Sequence, residues 1–156
     1  MMFSKMLTKI LVPYDGSKYS VKALTKAMEL AHSLDSEIFL FSVIYLNYIS
    51  PPGMLGLTKT KTEKEIIKKW AESVKTDAEK MLKVAVKRCN EKGISASYHI
   101  TKGNVANEIL SFAKRKHISL IVIGSYGLHG IGKLKTLGST SRKVSEQANC
   151  PVLLVR

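Results

Sequence analysis

Acidic residues are scarce in this chain: 12 Asp and Glu stand against 25 Lys and Arg, a formal charge of +13 over 156 residues. Cysteine is scarcer still. Cys89 and Cys150 stand far apart, with no CxxC pair and no histidine at metal-ligand spacing, so packed thiols are expected rather than a metal site or a redox dithiol. No apolar run approaches the roughly 20 residues that span a bilayer. Ile10 to Val12 after Lys9 is too brief for a secretory core, so the expectation is a cytoplasmic chain without a membrane segment. Aromatic residues interleaved with the basic ones are also missing, as is any recognised nucleic-acid module. The charge is therefore expected as a solvated basic surface, with nonspecific polyanion binding as the alternative. It is spread out: residues 59–92 carry 11 basic and 6 acidic side chains, and residues 133–143 add a further net charge of +4 without an acid.

With 45 % hydrophobic residues, the chain is long enough for one well-buried core and too short for two typical domains, so residues 1–156 are expected to form a single domain. Half of its ten glycines (Gly124, Gly127, Gly130, Gly132 and Gly138) fall between Ser119 and Arg142. The apolar run Leu120 to Ile123 has strand length and ends at Gly124; a glycine-rich loop follows, and Gly138-Ser139-Thr140-Ser141 opens a helical segment. Glycines let backbone N–H groups approach an anion, and a helix start adds unpaired donors and partial positive charge, which suits phosphate. Ser139, Thr140 and Ser141 add hydroxyls. The plainer alternative is a surface turn whose glycines permit positive φ, with Ser139 or Thr140 capping the helix. Two phosphate-loop patterns fail: Gly127-x4-Gly132-Lys133 is followed by Leu134 where a hydroxyl should hold magnesium, and Gly130-x-Gly132 lacks the third glycine of a dinucleotide fingerprint.

Taken in order, Lys9 to Tyr14 predicts a strand buried on both faces, with Asp15 at its carboxyl end, Gly16 in a tight turn and Ser17 as N-cap. Val21, Leu24, Ala27, Met28, Ala31 and Leu34 recur at helical spacing and predict a helix over 18–34. Glu37 to Tyr45 is the second strand, and Asn47 to Thr62 a long loop that is either a lid, a partner contact or disordered. A helix runs from Glu63 to about Lys92 with Gly93 at its C′ position. Ile94 to Thr101 is the third strand, Gly103-Asn104 precedes a short helix through Ile109, Phe112 and Ala113, and Pro151 ends the last helix before the strand Val152 to Val155. Strands alternating with helices imply an α/β fold with a parallel sheet between two helical layers.

Gly124-x2-Gly127, a longer gap, Gly138-Ser139, a helix and Cys150-Pro151-Val-Leu-Leu-Val resemble the nucleotide-binding branch of the universal stress protein family, and Val12-Pro13-Tyr14-Asp15-Gly16-Ser17 resembles its first strand and turn. The gap from Leu128 to Leu137 is one residue longer than is usual in that family. The resemblance implies an open five-stranded parallel sheet of order 3-2-1-4-5 with helices on both faces. It implies ATP as ligand: Pro13, Tyr14 and Asp15 along the nucleoside, Asp15 accepting from ribose hydroxyls or approaching phosphate-bound Mg2+, and Val43 offering main-chain contacts to adenine. Ile123, Gly124, Ser125, Gly127, Gly130, Gly138, Ser139, Thr140 and Ser141 would surround ribose and phosphates. Lys133 and Lys135, cations of this sequence's longer loop, either reach the phosphates or face water. Each residue also has a plainer reading: Asp15 as a cap of the first helix, Val43 as core filling, the glycines as turns.

Hydrolysis needs a base near the attacking water, and the crevice holds no second acid; His129 in the loop is the one histidine placed to serve. A nucleotide-dependent stress-response and signalling module is therefore favoured over a slow ATPase or phosphotransferase, or an interaction module of the same fold that binds no nucleotide. In the implied order the chain end is an edge strand, continuously apolar from Val152 to Val155 before Arg156. An edge of that kind calls for a cover. A homodimer formed through Val152 to Arg156 supplies one, and the family resemblance implies the same assembly.

Overall fold

The computed structural model describes residues 7–45, 60–127 and 137–156. Strand β1 (Lys9–Pro13) enters helix α1 (Lys18–Leu34), which is followed by β2 (Glu37–Ile44), α2 (Lys61–Asn90), β3 (Ala96–Lys102), α3 (Val105–Lys116), β4 (Leu120–Gly124), α4 (Ser139–Gln147) and β5 (Val152–Val155). All strand pairs are parallel, in the order β3-β2-β1-β4-β5. The order, the parallel pairing and the helices on both faces are those the sequence led us to expect.

Alternation along each strand divides the interior. Ile10, Val12, Ile38, Leu40, Leu120 and Val122 face Ala23, Leu24, Ala27 and Met28 of α1 and Leu82, Ala85 and Cys89 of α2. Leu11, Phe41, Ile121 and Ile123 face Ala106, Ile109 and Phe112 of α3 and Val144 of α4. The helices after β1 and after β4 thus lie on opposite faces. Among the described residues no helix is long and apolar enough to cross a membrane.

Local chemistry fixes the helix ends. Ser17 caps α1, its hydroxyl accepting from the Ser20 N–H at 3.3 Å. Thr60 and Glu63 form a capping box, so α2 begins at Lys61, earlier than the apolar spacing suggests. At its far end the Gly93 N–H donates to the Asn90 carbonyl at 2.9 Å and the Ile94 N–H to that of Cys89 at 3.1 Å, with Gly93 at φ 72°. This is the left-handed closure expected for Gly93. It uses the residues before Ala96, so β3 starts later than Ile94. Helix α4 does not run to Pro151: it ends at Gln147, because Ala148 is already extended at φ −67°, ψ 142°. The expected loop from Asn47 lies outside the described residues as far as residue 59.

Gly124 is a close contact between the sheet and α1. A Cβ placed on it would lie 2.7 Å from the Tyr19 carbonyl carbon and 2.9 Å from its oxygen, both backbone atoms of α1. Gly124→Ala must push α1 off the sheet, and overpacking of this kind costs about 1–3 kcal/mol. The expected outcome is a lower urea midpoint with an unchanged slope; an unchanged midpoint would contradict the close-approach role.

Candidate functional site

β1 and β4 are neighbours whose following helices diverge to opposite faces, leaving a crevice beyond their carboxyl ends. Asp15 leaves β1 at this point. Its Oδ1 accepts from the Ser17 N–H at 2.9 Å, and a Cβ placed on Gly127 would lie 3.1 Å from its Oδ2. Two segments more than a hundred positions apart in the chain therefore meet at one carboxylate. The bond from Ser17 ties Asp15 to the turn, but the N-cap of α1 is Ser17, so Asp15 is not the cap considered for it.

The described glycines around this loop, Gly124, Gly127 and Gly138, are there for room, not for backbone twist. Gly16, Gly93 and Gly103 are the described glycines with positive φ, whereas Gly138 has φ −60°. The positive-φ reading is therefore overturned for Gly124, Gly127 and Gly138. Gly124 makes way for α1, Gly127 for Asp15, and Gly138 for the Ser125 carbonyl, 3.1 Å from where its Cβ would stand. Gly130 and Lys133, together with His129, Gly132 and Lys135, lie outside the described residues.

Ser125 holds the base of the loop. Its N–H and hydroxyl both donate to the Val155 carbonyl, at 2.8 and 2.9 Å, and its own carbonyl accepts from the Gly138 N–H and the Ser141 hydroxyl, each at 2.9 Å. The Ser141 hydroxyl also lies 3.0 Å from the Gly138 carbonyl. Both serines are buried, so the Ser141 hydroxyl, expected as a phosphate donor, is engaged within the protein. Ser139 is exposed and Thr140 partly so. Gly138, not Ser139 or Thr140, is the N-cap, and it offers no side-chain acceptor. Helices α1, α2 and α3 are capped by Ser17, Thr60 and Asn104, whereas the first-turn amides of α4 meet no capping side chain. That leaves N–H donors and the positive end of the helix dipole beside the loop.

On the other flank, the Tyr14 N–H donates to the Phe41 carbonyl at 2.8 Å as the β1–β2 ladder closes. Backbone direction repeats every second residue, so the N–H and C=O of Val43 point to that same side, beyond the end of β1. The Val43 side chain meanwhile packs against the α3–α4 core, so the core-filling role is present and leaves the main chain facing the crevice. Pro13 ends β1, and Ile123 is buried on the α3–α4 face. The Tyr14 ring packs against the α1–α2 core. Burial pushes its phenol above the usual range, the Arg88 guanidinium opposes this, and Asp15 and Cys89 add to it. Burial likewise raises both thiols, Cys89 against the pull of Arg88 and Cys150 against a backbone hydrogen bond from Ile121, which keeps them protonated at neutral pH.

The sequence did not point to Ser125 as the hub, nor to the packing of the Tyr126 ring on that of Tyr19, 5.1 Å between centroids. Among the described residues no group of three or more His, Cys, Asp or Glu could hold a metal ion. A groove of about 690 Å3 lies at the opposite end of the sheet, between the carboxyl ends of α3 and α4 near Lys114, His117 and Cys150. Helix carboxyl ends present carbonyls rather than N–H donors, so this groove lacks the helix-terminal amides that flank the crevice.

A sequence profile described as the Universal stress protein family matches residues 6–156. Universal stress protein YxiE of Bacillus subtilis (strain 168) is 37 % identical over 97 % of this chain and 100 % of its own. Universal stress protein UspA from Lactobacillus plantarum superposes with a TM-score of 0.81 at 22 % identity, covering 96 % of this chain and 98 % of the other. The universal stress protein from Archaeoglobus fulgidus in complex with dAMP gives 0.63 at 20 % identity, covering 96 % and 98 %. A universal stress protein in complex with cAMP gives 0.67 at 18 %, covering 96 % and 97 %. The structural likenesses speak to the fold, and the profile and the curated relative to descent: this chain belongs to the universal stress protein family.

Proposed function

We propose that the chain is an ATP-binding signalling module that works as a homodimer. The observation that carries the reading is the meeting of Asp15 with Gly127 in the crevice. Around that point the α4 amides and the Ser139 and Thr140 hydroxyls suit phosphates, and the Val43 main chain offers a donor and an acceptor to the edge of a base. Asp15 accepts from ribose hydroxyls or from phosphate-bound Mg2+. The dAMP and cAMP held by neighbours of the same fold support an adenine nucleotide. Regulation by nucleotide state fits a site built from donors and spaces rather than from acid–base pairs.

The dimer reading rests on β5, an edge strand whose Leu153 is 36 % exposed. A second copy paired antiparallel across a two-fold axis would cover the unpaired backbone and the apolar side chains together.

Magnesium-ATP at a hundred times its dissociation constant should stabilise the protein by about 2.7 kcal/mol. That gain should appear as a raised melting temperature, not reproduced by inorganic triphosphate. Gly127→Val, which fills space already limited by the Asp15 carboxylate, should abolish the shift while leaving the unliganded fold; retained ATP affinity in that variant would sink the assignment. For the assembly, Leu153→Lys places like charges across the axis at a position exposed in the single chain. Light scattering at micromolar concentration should give a dimer for the parent and a monomer for the variant.

A further inference from the structure

The turn that presents Asp15 is roofed by a sulfur atom. Gly16, at φ 78°, sits between Asp15 and Ser17, and a Cβ placed on it would lie 2.7 Å from the Met81 Sδ and 3.8 Å from its Cγ. A side chain at Gly16 would be strained by the positive φ and would displace the thioether. Met81 belongs to α2, where the neighbouring Leu82 and the nearby Ala85 are anchored in the core. Met81 itself is only partly buried. The other described sulfurs are differently placed: Met28 and Cys89 are buried, and Cys150 lies at the opposite end of the sheet.

We propose that Met81 is a redox-sensitive latch on the crevice, whose oxidation to the sulfoxide weakens nucleotide binding; the inference rests on the nucleotide reading of that crevice. The oxidant is a peroxide. Its O–O bond breaks as one oxygen is transferred to sulfur, the thioether loses two electrons, and the remaining oxygen leaves as water. The added oxygen makes an apolar contact polar and bulky against a glycine that cannot yield further. The turn moves to accommodate it, and Asp15 loses its fixed position against Gly127, where the clearance is already short. The oxidised site is thus looser than the reduced one, and enzymatic reduction of the sulfoxide restores it.

The test compares the parent with Met81→Leu, a near volume-conserving exchange, before and after hydrogen peroxide, with oxidation located by peptide mass. ATP affinity of the oxidised parent should fall about tenfold, a coupling of ordinary size, and recover after methionine sulfoxide reductases; Met81→Leu should keep its affinity through the same treatment. Amide exchange across residues 14–20 supplies a readout independent of nucleotide and should quicken on oxidation of the parent alone. Equal loss of affinity in Met81→Leu, or a Met81 sulfoxide with unchanged exchange at the turn, would overturn the latch. Failure of the reduced parent to bind ATP, with faster exchange on oxidation, would reject the nucleotide reading and with it control of binding, while establishing a redox-sensitive turn at Gly16.

Discussion

Burial of β1 and β4 on both faces governs where this molecule can act. Ile10, Leu11 and Val12 are sealed between layers, as are Leu120 to Ile123, so none of these side chains is available to a ligand. Chemistry is left to the strand ends, and at the carboxyl ends the two connections part to opposite faces. Every residue of the candidate site, from Asp15 to the first turn of α4, follows from that single restriction.

Within the crevice the design principle is vacancy. Three glycines remove side chains where α1, a carboxylate and a loop carbonyl must come close, and none of the three needs a positive φ. The loop is held instead by main chain and hydroxyls: Ser125 and Ser141 spend their donors inside the protein, leaving the α4 amides without a side-chain cap. The ordered dipole of α4 therefore places positive potential beside the loop.

These features differed in how openly the chain declared them. Strand runs such as Leu120 to Ile123, the helical stripe from Val21 to Leu34 and the closure at Gly93 depend on neighbours in sequence, and all are found as expected. The strand order needed the family resemblance, since no local pattern states which strands pair. The end of α4 did not follow from Pro151, because the chain is already extended at Ala148. Gly124 and Ser141 looked like ligand residues for a physical reason: glycine and serine suit phosphate loops and tight packing equally. Only contacts with Tyr19 and Ser125, distant along the chain, separate those uses.

The pairing of Ser125 with Gly138 has a further consequence for the length of this loop. Because its two ends are joined at the base, the segment between them is a closed ring whose ordering entropy depends only logarithmically on its length. Doubling such a ring costs about 0.6 kcal/mol, so a single additional residue costs on the order of 0.1 kcal/mol or less. One residue more or fewer between Ser125 and Gly138 thus leaves stability almost untouched while the pinned base continues to hold Gly127 against Asp15.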